Sequence, residues 1–134
     1  MEEFIFNKSL LISENRKSGV SAFMRIKNGR DFLEETIESH IEFFDEIIAC
    51  YNGCNDNTED ILKILQRKYP DKLKIYHYKP EVYPPGSEGH KVTDPNSVHS
   101  FVNFSNYTLS KTTYKIATKL DDDYIASLKA LEEL

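Results

Sequence analysis

The sequence has no apolar run that approaches the ~20 residues needed to cross a bilayer, so it predicts no transmembrane segment. It also lacks an excess of positive charge, because 17 basic residues face 22 acidic ones and the formal net charge is -5. Since binding to nucleic-acid phosphates requires clustered lysine and arginine, this balance argues against a general nucleic-acid-binding protein. The amino terminus lacks the basic residues of a secretory signal, and we therefore expect a cytoplasmic location.

Cysteine is scarce as well, since the chain contains only Cys50 and Cys54. A single pair without nearby histidines is a poor zinc site, and reduced thiols in the cytosol are the simpler interpretation. The remaining composition, with 40% hydrophobic and 29% charged residues among 134, is typical of a soluble globular protein. This length suits one domain with a buried core.

Apolar residues recur with the two-residue period of strands in some segments and with the longer period of helices in others. The pattern predicts a short edge strand at 3–12, a turn at 13–19, strands at 20–26, 45–51, 72–78 and 114–120, and helices that begin near Asp31, Thr58 and Asp94, with a further helix at 127–134. Residues 79–97 hold four of the five prolines and are predicted to be a long functional loop. This alternation predicts an α/β fold, a three-layer sandwich whose mostly parallel sheet carries helices on its faces.

Polar side chains follow three of the predicted strands at their carboxyl ends, where open α/β sheets bind ligands. These are Arg25, Lys27 and Asn28 after the first strand, Tyr51, Asn52, Cys54, Asn55 and Asp56 after the second, and Asp121, Asp122 and Asp123 after the last. Arg25 and Lys27 suit a phosphate, with simple solvation as the alternative. The loop at 51–57 suits a polar or anionic ligand, and its alternative is a turn whose Asn57 or Thr58 caps the next helix.

The acidic triplet at 121–123 predicts a divalent-cation site. Mg2+ and Mn2+ prefer oxygen ligands and usually take one or two carboxylates together with phosphate oxygens. Strand alternation would direct Asp121 and Asp123 to the same side, and a cation between them would relieve their mutual repulsion. A solvated turn or a helix cap is the alternative for such a cluster. Its position after a strand that we expect to be buried favours the metal site.

The order and spacing of these features resemble a known family. Residues 20–65, VSAFMRIKNGRDFLEETIESHIEFFDEIIACYNGCNDNTEDILKIL, are similar to the start of the family 2 glycosyltransferases, which have the GT-A fold. Within them YNGCNDNT resembles the family's DDGSTDNT, and the positions that match are Gly53, Asp56, Asn57 and Thr58. Farther along, LDDD at 120–123 resembles the family's metal-binding D-x-D motif. The resemblance covers about residues 20–126.

The resemblance implies a Rossmann-like half that binds a nucleotide-sugar donor, with a glycan or lipid-linked acceptor, for glycan or surface polysaccharide synthesis. It implies that Asp121 and Asp123 hold Mn2+ or Mg2+, and that the metal neutralises the diphosphate and helps it leave. It further implies that the other polar residues at the strand ends bind the donor. These are Arg25, Lys27, Asn28, Tyr51, Asn52, Asp56 and Asp122, with Asp121 lying also near the ribose.

The sequence departs from the family pattern at three places. Tyr51 and Asn52 replace an acidic pair whose carboxylate contacts the base in the family, and Gly29 stands where an acidic residue is usual. In the family, the general base that deprotonates the acceptor lies well beyond the D-x-D motif. This chain ends 11 residues after Asp123. We therefore expect residues 1–134 to be one domain without its catalytic base, either truncated from a longer enzyme or a short relative with little catalytic capacity.

Two other functions fit parts of the pattern. An aspartate-based phosphotransferase would use a D-x-D motif beside Mg2+, but such enzymes usually place it on the first strand and follow it with Thr or Val, whereas Tyr124 follows here. A non-catalytic nucleotide-binding or assembly module would explain the missing acceptor half. A truncated domain would also expose apolar sheet surface, which favours homo-oligomers. A glycosyltransferase accounts for the largest number of these features.

Overall fold

The computed structural model describes residues 2–7, 16–27, 32–53, 57–84 and 86–121. After a 3-10 turn at Glu2–Phe4, its elements are β1 (Lys17–Ile26), α1 (Leu33–His40), β2 (Glu46–Tyr51), α2 (Thr58–Lys68), β3 (Leu73–His77), α3 (Glu88–Val92), α4 (Phe101–Ser110) and β4 (Tyr114–Lys119). No helix within these ranges combines the length and the apolar character that crossing a membrane requires.

The four strands form one sheet in the order β3-β2-β1-β4, and every neighbouring pair is parallel. A parallel pair needs a crossover connection, and α1 and α2 provide the first two of them. All six residues of β2 are buried, as expected for an interior strand covered on both faces. The predicted α/β fold with a mostly parallel sheet is confirmed.

Each face of the sheet has its own apolar core, because successive strand residues point to opposite sides. The first core joins β1 and β2 to α1 and α2, and its members include Met24, Ile26, Leu33, Ile37, Ile47, Ala49 and Leu62. The second core lies on the side of α4 and consists of Phe4, Cys50, Tyr78, Val82, Phe104 and Tyr107. The sheet is therefore the middle layer of a three-layer sandwich, as the sequence predicts.

The amino-terminal segment differs from its prediction. Among the described residues 2–7 there is no strand, and the edge strand predicted at 3–12 is wrong for this part. The side chain of Asn103 on α4 binds the main chain here instead. Its Nδ2 donates to the carbonyl of Phe4 at 2.7 Å, and its Oδ1 accepts from the amide of Phe6 at 2.9 Å. The side-chain amide of Asn103 thus makes the hydrogen bonds to the main chain that a neighbouring strand would otherwise make.

Two element boundaries also differ from the pattern. The turn predicted at 13–19 is wrong at its end, since β1 already begins at Lys17. The helix predicted to begin near Asp31 runs from Leu33 to His40, and its N-cap position is Phe32. Asp31 itself lies outside the described residues, as does the helix predicted at 127–134.

The third predicted helix begins later than expected. Ser100 caps α4, because its Oγ accepts from the amide of Asn103 at 2.9 Å. Asp94, the predicted start, makes a local turn instead, in which its Oδ1 accepts from the amide of Asn96 at 2.8 Å. Such a turn competes with the helix for the same residue type. The predicted loop at 79–97 also contains the short helix α3.

Candidate functional site

The carboxyl ends of the strands lie along one edge of the sheet. Ile26 of β1 is the register partner of Tyr51 of β2, and Tyr51 is the partner of His77 of β3. Lys119 of β4 is the partner of Phe23, so β4 ends slightly earlier along β1 than β2 does. The parallel sheet therefore places the described polar residues that follow β1, β2 and β4 at this edge.

A pocket of about 120 Å³ opens at this edge, on the side of the sheet that faces α4. Its walls are mostly apolar, with two basic side chains and one amide. The lining residues are Arg25, Ile26, Lys27, Asn52, Val82, Pro84, Phe101 and Phe104. Apolar walls with a few fixed polar groups are the usual lining of small-molecule sites, although this pocket is smaller than the ~300–1,000 Å³ typical of them. Positive charge at the wall favours an anionic ligand.

Arg25 is held in the pocket wall by α4. Its Nη1 donates a hydrogen bond to Ser105 Oγ at 2.6 Å, and its guanidinium carbon lies 4.6 Å from the centroid of the Phe101 ring. Burial lowers the pKa of Arg25, while the charge of Asp121 acts in the opposite direction. An arginine stays protonated in proteins, so the pocket carries a fixed positive charge.

The side chain of Lys27, just after β1, lies against the loop that follows β2. Gly53 in that loop has a φ of +57°, a conformation that favours glycine. A Cβ on Gly53 would lie 3.6 Å from Cε of Lys27, so the lysine stem runs closely over the loop. The exposed ammonium group of Lys27 therefore lies between two strand ends, where it can meet an anion.

Asn52 is buried and holds the strand ends together. Its main-chain N–H donates to the carbonyl of Ile26 at 2.9 Å, and its side-chain Nδ2 donates to the carbonyls of Tyr78 at 2.7 Å and Pro80 at 2.6 Å. These bonds fix the chain after β3, which supplies Val82 and Pro84 to the pocket. Asn52 thus shapes the pocket through the main chain as well as lining it.

Tyr51 points to the other face of the sheet and does not line this pocket. It belongs to the core formed with α1 and α2, its hydroxyl donates to Glu59 at 2.8 Å, and its ring stacks on His77 with centroids 4.6 Å apart. The pKa of Glu59 is lowered mainly by the hydrogen bond from Tyr51 and to a smaller extent by the contact with Lys63. A role of Tyr51 in binding the donor stays a prediction.

Asp121 is the one member of the acidic triplet within the described residues. It is exposed, and its Oδ1 lies 3.5 Å from Nζ of Lys119. Asp122 and Asp123, like Asn28 and Asp56, lie outside the part of the chain that the structure describes. Within that part no group of three or more His, Cys, Asp or Glu side chains is close enough to hold a metal ion. One exposed carboxylate fits Mg2+ as a partial ligand set, because this ion takes few protein ligands and several phosphate or water oxygens.

The strand before the triplet is not buried as expected. Among the described residues β4 is an edge strand, and most of its side chains are exposed, with Ile116 at 59%. A parallel strand that is covered on both faces usually has a continuous run of apolar residues, whereas apolar and polar residues alternate in YKIATK. Because β4 is exposed, the expectation of a buried strand before the triplet no longer supports a metal site at Asp121.

A comparison with protein families identifies what kind of chain carries this site. The family model described as beta-1,4-N-acetylgalactosaminyltransferase (CgtA) matches residues 6–132. The chain belongs to the CgtA glycosyltransferase family. No curated protein matches the sequence significantly. The resemblance to glycosyltransferases is confirmed, whereas membership of family 2 and the GT-A fold stay predictions.

Part of the pocket of this CgtA-family chain is not evident from its sequence. Phe101 and Phe104 fit a core helix, and their apolar spacing does not reveal that one edge of that helix lines a pocket. Ser105 gives no signal at all, since it is one of two serines on α4. The length and proline content of 79–97 are the one available hint, because Val82 and Pro84 lie in that segment.

Proposed function

We propose that this chain binds a nucleoside-diphosphate sugar at the carboxyl edge of its sheet and takes part in transfer of an N-acetylgalactosaminyl group. The pocket beside Arg25 and Lys27 is the observation that carries the proposal, together with the family match over residues 6–132. The description of the family, beta-1,4-N-acetylgalactosaminyltransferase, supplies the transferred group and the β-1,4 linkage. Open α/β sheets bind nucleotides in this position.

The pocket offers complementary groups to both halves of a nucleoside diphosphate. Val82, Pro84 and Phe104 provide apolar walls against which a base can pack. Arg25 and Lys27 provide positive charge for the diphosphate, since guanidinium and ammonium groups are the usual protein partners of phosphate. The binding of a charged ligand against apolar walls makes each of these contacts stronger than it would be in water.

In the proposed reaction an acceptor hydroxyl oxygen forms a bond to C1 of the sugar while the bond from C1 to the donor phosphate oxygen breaks. The electron pair of that bond leaves with the nucleoside diphosphate, and the hydroxyl proton goes to a general base. We assign no described residue as that base. Arg25 and Lys27 would stabilise the negative charge that grows on the leaving diphosphate, which lowers the barrier.

We further propose that Asp121, together with Asp123, holds Mn2+ or Mg2+. Such an ion supplies a Lewis acid that neutralises diphosphate oxygens. The carboxylate of Asp121 is exposed, and its charge acts to raise the pKa of Arg25 in the pocket wall.

Isothermal titration calorimetry of the chain with UDP, GDP and UDP-N-acetylgalactosamine, each with and without Mn2+, tests the proposal. We expect binding of one nucleotide and of its sugar conjugate, with tighter binding in Mn2+. Absence of binding heat and of any thermal shift in all combinations would overturn the proposal.

Replacement of Arg25 by glutamine is expected to weaken binding of that diphosphate by about ten- to one-hundredfold, since a charged contact to phosphate is lost. Calorimetry with the diphosphate and with its uncharged nucleoside checks the result, because the nucleoside should lose much less affinity. Arg67→Gln is the matched control, since Arg67 is an exposed arginine on α2 and does not line the pocket. Equal losses in the two variants would contradict a specific role of Arg25.

Replacement of Asp121 by asparagine is expected to reduce the gain in diphosphate affinity that Mn2+ produces by about tenfold or more, because one anionic ligand is removed. Binding without metal should change little. Asp71→Asn is the control, because Asp71 is exposed and precedes β3 at the opposite edge of the sheet. An unchanged Mn2+ effect in Asp121→Asn would remove this carboxylate from the proposed ligand set.

A further inference from the structure

We propose that Ser105 and Phe101 of α4 are positioning residues that hold the Arg25 guanidinium in place for the diphosphate of the donor. The inference rests on the proposed function and adds residues that the sequence does not indicate. Ser105 lies 80 positions after Arg25 in the chain and meets it only through the fold.

The hydroxyl of Ser105 is oriented so that it must accept from Arg25. Its Oγ donates to the carbonyl of Phe101 at 2.8 Å, which uses its single hydrogen. The remaining lone pairs accept the hydrogen bond from Nη1 of Arg25 at 2.6 Å. The helix main chain thus fixes the direction of the hydroxyl, and the hydroxyl fixes one corner of the guanidinium.

The Phe101 ring fixes the guanidinium further. The guanidinium carbon lies 4.6 Å from the ring centroid, within the range of a cation–π contact. A hydrogen bond at one corner and an aromatic contact together limit rotation about the bonds of the arginine side chain. Because a guanidinium has five donors in one plane, holding that plane sets where the other donors point.

Other contacts of α4 also attach it to the sheet. Phe104 and Tyr107 of the same helix already pack with Cys50 of β2 and with Tyr78 in the second core. The bond between Arg25 and Ser105 is instead made at the pocket, which Arg25 and Phe101 both line. Partial burial of an arginine costs free energy because the charge loses contacts with water. A charge that is already held in place for a ligand offsets this cost through tighter binding of that ligand.

The test measures binding of UDP or GDP, whichever the unaltered chain binds more tightly in Mn2+, and of the corresponding nucleoside. Ser105→Ala is expected to weaken diphosphate binding about five- to tenfold and to change nucleoside binding less than about twofold. Ser105→Thr, which keeps the hydroxyl, should recover most of the loss. Ser110→Ala is the matched control, because Ser110 Oγ donates to the carbonyl of Tyr107 on the same helix and does not contact Arg25.

A double-mutant cycle separates positioning from a general structural effect. In the Arg25→Gln background, Ser105→Ala should cause no further loss of diphosphate affinity, because both changes act through one guanidinium. The inference is wrong if Ser105→Ala binds the diphosphate as tightly as the unaltered chain, if nucleoside affinity falls equally, or if the two losses add. If the unaltered chain binds neither diphosphate, the proposed function itself fails, which is a different result from any of these.

Discussion

Replacement of Gly19 by alanine is expected to lower the free energy of unfolding by about 3 to 5 kcal/mol. Gly19 has a φ of +144°, which side chains with a Cβ rarely adopt. It lies in a bulge of β1, where Lys17 pairs with Tyr114 and Val20 with Ile116, so that three steps on β1 correspond to two on β4.

The space around Gly19 is also filled. An added Cβ would lie 2.6 Å from Cδ1 of Tyr114 and would collide with the carboxylate of Asp45. That carboxylate is not free to move away without cost, because its Oδ2 accepts from the amide of Val20 at 2.8 Å. Strain and collision therefore add at this position.

Urea denaturation followed by circular dichroism measures the effect, and Gly86→Ala separates its two causes. Gly86 also has a positive φ, +87°, but an added Cβ there would meet nothing within 4 Å. The control should lose about 1 to 2 kcal/mol from backbone strain alone. Equal losses in the two variants would show that the neighbours of Gly19 move aside.

Replacement of Glu46 by glutamine is expected to lower the free energy of unfolding by about 2 to 3 kcal/mol at neutral pH. Glu46 is buried at the amino-terminal edge of the sheet, opposite the pocket. Its carboxylate accepts hydrogen bonds from Ser21 of β1 at 2.9 Å, from Lys74 of β3 at 3.0 Å, and from the amide of Thr113, just before β4, at 2.8 Å. One side chain of β2 thus joins β1, β3 and the residue that precedes β4, and glutamine offers neither the charge nor two acceptor oxygens.

The effect of Glu46 depends on pH in a defined direction. Burial raises the pKa of Glu46, but the hydrogen bonds from Thr113, Lys74 and Ser21 together outweigh it, so that the pKa is lowered from 4.5. Because the folded value lies below the unfolded one, the carboxylate stabilises the fold fully above the unfolded value. This stabilisation is lost as the pH falls through the folded value.

The difference in unfolding free energy between the unaltered chain and Glu46→Gln should therefore be constant near neutral pH and shrink in acid. Urea denaturation at a series of pH values measures it. Glu42→Gln, a change at an exposed glutamate before β2, is the control and should show little difference at any pH. A difference for Glu46→Gln that stays constant as the pH falls far below 4.5 would contradict the stated direction of the pKa shift.

The strand and helix periods of the sequence were sufficient for the architecture. Apolar alternation in KLKIYHY and the helical spacing at Thr58 and beyond predicted β3 and α2 within one or two residues. These are local properties, decided by burial of one face over a few residues. The parallel sheet followed from their alternation, and the position of Arg25, Lys27 and Asn52 at its carboxyl edge followed from the parallel sheet.

Local competition between side chains limited the accuracy of the boundaries. Asp94 and Ser100 are both suitable helix caps by residue type, and only the folded chain shows that Ser100 caps α4 while Asp94 makes a turn. At the amino terminus the apolar residues indicate burial but not what satisfies the main chain. That role falls to the distant Asn103.

The chain's own pattern of apolar and polar residues determines a parallel α/β sheet and the edge at which polar groups gather. Which of those groups share a pocket depended on the tertiary structure. Adjacent residues such as Tyr51 and Asn52 face opposite sides of the sheet, and Arg25 meets Ser105 only because a crossover places α4 beside β1. Periodicity acts over neighbouring residues, whereas such contacts depend on how distant elements pack against each other.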